Sequence, residues 1–144
     1  MTPCTAQAPE PWHIHFFQRA PADDPSSSTP ALDYLSTAPM TVVAEFHAIL
    51  EAVAAAPPPS FSGGGKWEAM HGDMTGIFEV RVRSRGTNYR LFCLLIRSSD
   101  RIAAPSVVCL DGITKPARTA APARDYQRIR RYAAEFRTHE RVLA

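Results

Sequence analysis

The sequence has few cysteines, no long apolar run and almost no basic residues in its first half. The three cysteines, Cys4, Cys93 and Cys109, show no metal-ligand spacing, and we expect buried free thiols in a reducing compartment. No apolar run approaches the roughly 20 residues that a membrane span requires, and no basic start precedes an apolar stretch at the N-terminus. These absences predict a cytoplasmic protein that does not interact with membranes.

Basic charge is scarce before residue 66 and abundant after it. Residues 1–65 contain one basic residue, Arg19, against six acidic ones, a net charge of −5. Residues 66–144 contain fifteen basic and eight acidic residues, a net charge of +7. Basic charge gathered in one half indicates a nucleic acid or an acidic protein partner, and a solvated basic face is an equally simple interpretation.

The order of periodic segments predicts one α+β domain at residues 12–138, between a flexible tail at 1–11 and a second tail at 139–144. Strands separated by short turns favour an antiparallel sheet, with the helices grouped on one of its faces. The predicted order is β-α-α-β-β-β-α. The expected elements are strands at 12–17, 78–83, 89–96 and 106–110, a helical turn at 31–35, and helices at about 39–56 and 122–138.

The strongest local pattern is a hairpin in the middle of the chain. Apolar residues alternate with Glu79, Arg81 and Arg83, which is typical of a half-buried strand. Arg90 is the lone charge in the following apolar strand, and residues 84–88 supply the turn, with Gly86 and Asn88 expected at positive φ. If the three arginines share one face, that face suits an anionic partner, because guanidiniums bind phosphate in forked pairs.

Two other patterns are tempting and fail. The segment Gly63–Lys66 looks like a phosphate-binding loop, but Ser60 stands where the Walker motif needs glycine, and Trp67 follows the lysine instead of Ser or Thr. His13 and His15 share one strand face, but no third ligand lies nearby, so we expect no metal.

Four motifs together resemble the RelE/ParE toxin superfamily of type II toxin–antitoxin systems, most of all its HigB-like, phage-derived branch. They are Lys66 followed by Gly72, then Gly76-Ile77-Phe78-Glu79-Val80-Arg81, then Tyr89-Arg90-Leu91-Phe92, and a shortened, lysine-poor version of the closing motif at Gly112–Thr119. The resemblance covers residues 12–138. It implies a small four-stranded antiparallel sheet with packed helices.

The resemblance also implies a function. Many members are ribosome-dependent mRNA endoribonucleases that need no metal or cofactor, and a helix-turn-helix antitoxin inhibits them. The 2′-hydroxyl of the RNA attacks the adjacent phosphate, which requires a base, positive charge and an acid for the leaving oxygen. Other members bind a protein target such as gyrase. A protein that only binds an antitoxin-like partner is a third alternative.

Within that mechanism, Arg90 is the expected phosphate clamp, Arg81 holds the RNA backbone, and Lys115 or Arg118 stabilises the leaving oxygen. The base remains open between Glu79 and Tyr89, Tyr126 or His71. Glu79 has an alternative role as the countercharge of Arg81 or as the ion-pair partner of Arg90. Further RNA contacts are expected from six basic residues: Lys66, Arg83, Arg85, Arg124, Arg128 and Arg131.

Overall fold

The computed structural model describes residues 10–56 and 63–144, where the chain forms three α-helices and a six-stranded sheet. Most of the predicted tail at 1–11, as well as Cys4 and Ser60, lies outside the described residues. The strands are β1 (His13–Phe17), β2 (Trp67–Ala69), β3 (Phe78–Ser84), β4 (Thr87–Ile96), β5 (Ser106–Pro116) and β6 (Val142–Leu143). The helices are α1 (Pro30–Thr37), α2 (Met40–Ala55) and α3 (Ala123–His139).

The sheet is mixed, with strand order β2-β3-β4-β5-β1-β6. β1 pairs with β5 in parallel, and the other neighbouring strands are antiparallel. The predicted α+β class agrees with these elements, but the predicted four-stranded antiparallel sheet is wrong. The short edge strands β2 and β6 escape prediction because two or three residues show too little alternation. β1 is parallel because the chain crosses from it through α1 and α2 to the far edge, then returns by hairpins.

Helices cover both faces of the sheet, so the prediction that they share one face is wrong. Residues Val42, Phe46 and Leu50 of α2 pack with one set of buried strand side chains, including Val80 and Leu91. The other set packs against α3: Phe92, Leu94 and Leu110 belong to one buried cluster with Ile129 and Phe136. Both faces of β4 are therefore buried near its centre, as its nearly continuous apolar sequence predicts.

The hairpin turn and the third predicted strand differ in detail from expectation. Arg85 and Gly86 form the two-residue turn, with φ of 50° and 76°, whereas Asn88 lies in β4. Two consecutive positive φ angles match the twist of a tight hairpin. β5 does not end near Asp111 but runs to Pro116, so Lys115 lies in a strand rather than in a turn.

The two segments beside the C-terminus are fixed by specific contacts. β6 lies within the predicted tail at 139–144 and pairs with Phe16 and Phe17 of β1, so the sheet extends beyond residue 138. The loop after β1 is attached to α3 by Arg19, which donates two hydrogen bonds of 2.9 and 3.0 Å to the Glu135 carboxylate. Both side chains are largely buried, so this ion pair anchors a loop of otherwise polar composition.

A close contact between α1 and β5 sets their separation. The Tyr34 ring lies directly over Gly112, and its hydroxyl donates to the carbonyl of Ile113 at 3.1 Å. Burial raises the pKa of Tyr34 to about 12, so the hydroxyl stays protonated at neutral pH. Any side chain at position 112 would overlap the ring, which explains the glycine at this position in β5.

We expect Gly112→Ala to lower the free energy of unfolding by about 1–3 kcal/mol, because the new methyl group forces the Tyr34 ring away from the sheet. Denaturant unfolding of both chains measures the difference. In a Tyr34→Ala background the same glycine substitution should cost little. An equal cost in the two backgrounds would show that the overlap is not the cause.

Candidate functional site

The register of the central strands brings the predicted arginines together. Arg81 in β3 lies directly opposite Arg90 in β4, and Arg83 lies opposite Asn88. All three arginines project from the face of the sheet on which α3 packs, because Val80 and Val82 face α2 instead. The expectation that Arg81, Arg83 and Arg90 share one face is therefore met.

Glu79 occupies the centre of this arrangement. Its side chain is 0% exposed, and it accepts a hydrogen bond from Nε of Arg81 and another, at 3.3 Å, from Nη1 of Arg90. Nη2 of Arg81 also lies 3.3 Å from Glu68 of β2. We call these four residues, Glu68, Glu79, Arg81 and Arg90, the arginine–glutamate cluster.

The cluster changes the role expected for Glu79. Both carboxylate oxygens are occupied by guanidiniums, and neither is open to solvent, so Glu79 is unsuited to act as a general base. The sequence alone allowed Glu79 to be either a base or the countercharge of an arginine. The geometry agrees with the role of a countercharge. Arg90 keeps 18% of its side chain exposed and Arg81 keeps 41%, so both still present cationic surface.

A second group of cations lies at the hairpin end of the same strands. Arg83 and Lys115 flank Asn88 in adjacent strands, and the amide of Ala117 donates to the carbonyl of Gly86, which joins the two turns. Within the described residues, none of these cations has an acidic side chain within 4.0 Å. We call this group the basic end: Arg83, Arg85, Lys115 and Arg118.

Backbone strain marks two members of the basic end. Arg85 and Arg118 have φ of 50° and 68°, a region that favours glycine or asparagine. Long charged side chains are thus held at both turn tips despite an unfavourable backbone. Strain of this kind is common at functional sites, where the side chain matters more than the turn.

A groove of about 390 Å³ lies where β3 extends past β2. It connects the arginine–glutamate cluster with the basic end. Tyr89 packs against the core on the α2 side and borders the groove from there. Five predicted site residues therefore meet at one groove: Lys66, Arg81, Arg83, Tyr89 and Arg90.

Electrostatic coupling links Lys115 to the cluster. Partial burial and the nearby positive charge of Arg90 lower the pKa of Lys115, while Glu79 opposes the shift. The Lys115 ammonium donates to the carbonyl of Thr119 at 2.8 Å. Lys115 therefore lies within electrostatic range of the guanidinium that we expect to hold phosphate.

Several other predicted RNA-binding residues are engaged elsewhere. Arg128 contacts Asp111 at 2.9 Å and Asp125 at 2.7 Å, and Arg131 lies 3.8 Å from Glu135. Lys66 stays at the groove of Arg81 and Arg90, where it is 3.4 Å from Glu45, another residue that lines this groove. Arg124 is exposed at the start of α3.

Sequence reasoning found Glu79 but missed two other acidic residues on this face, Asp111 and Glu68. Asp111 is buried beside Arg128, and burial raises the pKa of Asp111 although the guanidinium opposes the shift. Glu68 follows Trp67 in a strand too short to predict. Glu68 lies opposite Glu79 because β2 pairs with β3, and the sequence does not predict this pairing.

The described residues contain no cluster of three or more His, Cys, Asp or Glu side chains able to hold a metal ion. His13 and His15 do stack, with ring centroids 5.7 Å apart. Among the helices that the structure describes, none is both long and apolar enough to cross a membrane.

Comparison with known proteins gives little. No family model and no curated protein matches this chain. One solved structure that does match is a chain from the toxin–antitoxin complex RelBE2 of Mycobacterium tuberculosis. The match has 17% sequence identity and a TM-score of 0.45, and covers 73% of this chain and 99% of that one. At these values the likeness establishes neither a shared family nor a shared function.

Glu79→Gln should lower the free energy of unfolding by about 3 kcal/mol, because it leaves the partly buried guanidinium of Arg90 without a countercharge and Arg81 with only the half-exposed Glu68. Glu68→Gln is the matched control. Its carboxylate is 47% exposed, so the loss of its ion pair should cost less than about 1 kcal/mol. Thermal or denaturant unfolding compares the two variants, and equal losses would contradict a central role for Glu79.

Proposed function

We propose that this chain is the toxin of a type II toxin–antitoxin pair and cleaves translated mRNA in the cytoplasm without a metal ion. The observation that carries the proposal is the alignment of Arg81 and Arg90 on one sheet face, beside the basic end. Together they form a cationic strip that runs from the centre of the sheet to its hairpin turns. The spaced motifs around Glu79-x-Arg81 and Tyr89-Arg90-x-Phe92 support the same function.

The strip suits an RNA backbone. Arg90 is held by Glu79 and emerges from a buried strand, so its exposed edge is rigidly placed to bind a phosphate. Arg81 binds the same or the next phosphate. The cations of the basic end extend the contact along the strand, since phosphate contacts dominate affinity for nucleic acids.

Cleavage proceeds by attack of the RNA 2′-hydroxyl on the adjacent phosphorus, as the bond to the 5′-oxygen breaks. Arg81 and Arg90 stabilise the negative charge that accumulates on the phosphate. Lys115 or Arg118 stabilises the leaving oxygen. Tyr89 borders the groove from the opposite face of the sheet, so its assignment to proton transfer between the reacting oxygens requires the RNA strand to pass around the free edge of β3.

The partners follow from the same surface. A ribosome-bound message presents the RNA strand. An antitoxin with a helix-turn-helix domain would cover the basic end with an acidic segment that folds on binding, because exposed cations without acidic partners attract such segments. Co-purification with the product of an adjacent gene encoding such a protein is the direct check.

A second function is favoured by one specific observation. The two carboxylates of the arginine–glutamate cluster balance its two guanidiniums, and Glu79 is too buried to act as a base. A protein with this balance would lack nuclease activity and instead bind a protein target such as gyrase, or only an antitoxin. The two functions differ in what happens to cellular mRNA.

Induced expression of the chain in a bacterial host should arrest growth and create new 5′ ends inside translated messages. Arg90→Ala should abolish both effects while the purified variant stays folded, because it removes the phosphate clamp. Growth curves and genome-wide mapping of 5′ ends provide the measurement. Arrest with intact messages would instead support a protein target, and no arrest would support a partner-binding role.

Arg85→Asn and Arg118→Asn test the basic end directly. Asparagine tolerates positive φ, so each variant keeps its turn and loses only the charge. Each should reduce the slope of log affinity against log salt by about 0.7 for a single-stranded oligoribonucleotide. Arg101→Asn, at the opposite end of the sheet, is the matched control and should leave the slope unchanged.

A further inference from the structure

A second groove lies on the α3 side of the sheet, between α3 and the turn at Gly72–Met74. Its volume is about 410 Å³. Its apolar part is lined by Met70, Met74 and the ring of Tyr126, and its polar part by His71, Asp73, Gln127 and Arg130. We call it the α3 groove. None of these residues belongs to the arginine–glutamate cluster or to the basic end.

The α3 groove is connected to the arginine–glutamate cluster by contacts on two sides. The Tyr126 ring meets Phe92 edge-on with centroids 6.2 Å apart, and Phe92 lies opposite Glu79 and two positions from Arg90. Two residues along a strand span about 7 Å, and the Tyr126 ring lies a further 6.2 Å from Phe92. One or two extended nucleotides can span the separation between Arg90 and the groove. On the other side, the Met74 carbonyl accepts from the Ile77 amide immediately before β3.

The lining combines two kinds of chemistry. An aromatic ring and two thioethers provide a polarizable apolar wall, on which any base can stack. An imidazole, an amide and a guanidinium stand at the rim and offer hydrogen-bond donors and acceptors. Nη1 of Arg130 lies 3.9 Å from Sδ of Met74, which holds the guanidinium beside the wall.

This combination matches the way in which proteins recognise single-stranded RNA, by stacking unpaired bases and bonding to their edges. We propose that the α3 groove binds one unstacked nucleobase of the RNA strand whose phosphate lies on Arg81 and Arg90. The proposal rests on the proposed function and adds to it a source of sequence preference. Stacking on Tyr126 supplies affinity, while Gln127 and His71 discriminate between bases.

The test measures binding of the purified full chain to two fluorescent seven-nucleotide RNAs, one of uridines and one with the same backbone but without bases. The chain should bind the base-containing RNA about tenfold more tightly, the ratio expected for stacking of one base. Tyr126→Leu keeps apolar packing against Phe92 but removes the aromatic face. It should abolish this ratio and leave binding of the abasic RNA unchanged.

Two histidine variants supply a matched pair. His71→Ala should change the order of preference among RNAs of uridine, adenosine and cytidine. His47→Ala, which alters a histidine on α2 at the other face of the sheet, should leave that order unchanged. Circular dichroism confirms that each variant remains folded.

The outcomes separate the inference from the proposed function. Equal binding of the base-containing and abasic RNAs by the unaltered chain would overturn the base site while RNA binding itself stands. A preference that survives Tyr126→Leu would also overturn it. Failure to bind either RNA at low salt would count against both the base site and the proposed ribonuclease.

Discussion

The buried carboxylate of Glu79 is the interaction on which the cationic face depends. Two guanidiniums side by side in neighbouring strands repel each other, and the strand pairing brings Arg81 directly opposite Arg90. A fully buried anion between them turns this repulsion into attraction and fixes both side chains in defined positions. The two carboxylates also cancel the charge of the two arginines. The centre of the cationic strip therefore orients a ligand, while the basic end attracts it.

The two faces of the sheet differ in how much of their surface is apolar and buried. On one face, α1 and α2 bury a continuous apolar layer, and the Tyr34 ring over Gly112 sets how closely this layer approaches β5. On the other face, α3 covers only part of the sheet, and charged residues occupy the remainder. Because β4 contributes to both layers, the core that stabilises the fold also determines where Arg90 emerges.

Local sequence patterns predicted what depends on local geometry. Alternation placed Arg81 and Arg83 on one face correctly, because successive side chains in a strand point in opposite directions. The parallel pairing of β1 depends on which distant strand it meets, and no periodicity encodes that. The burial of Glu79 depends on its surroundings in the folded sheet. The turn-rich composition after residue 110 likewise concealed the continuation of β5 to Pro116. The sequence thus indicated the charged residues and suggested Glu79 as their countercharge, but it did not indicate Glu68 or Asp111 as ion-pair partners.

The irregular pairing between β4 and β5 has a genetic consequence. Phe92 pairs with Asp111 while Cys93 pairs with Cys109, so Leu110 is an extra residue in β5. Leu110 packs in the core beside α3 and Asp111 binds Arg128, so the bulge allows two consecutive side chains to face α3. Loss of one codon at the bulge would restore regular alternation and leave Lys115 on the same face as Arg90, whereas loss of a residue between the bulge and Lys115 would turn Lys115 to the other face unless the bulge absorbed the change. During evolution, a change of length in β5 is therefore expected to be tolerated better at the bulge than elsewhere in the strand.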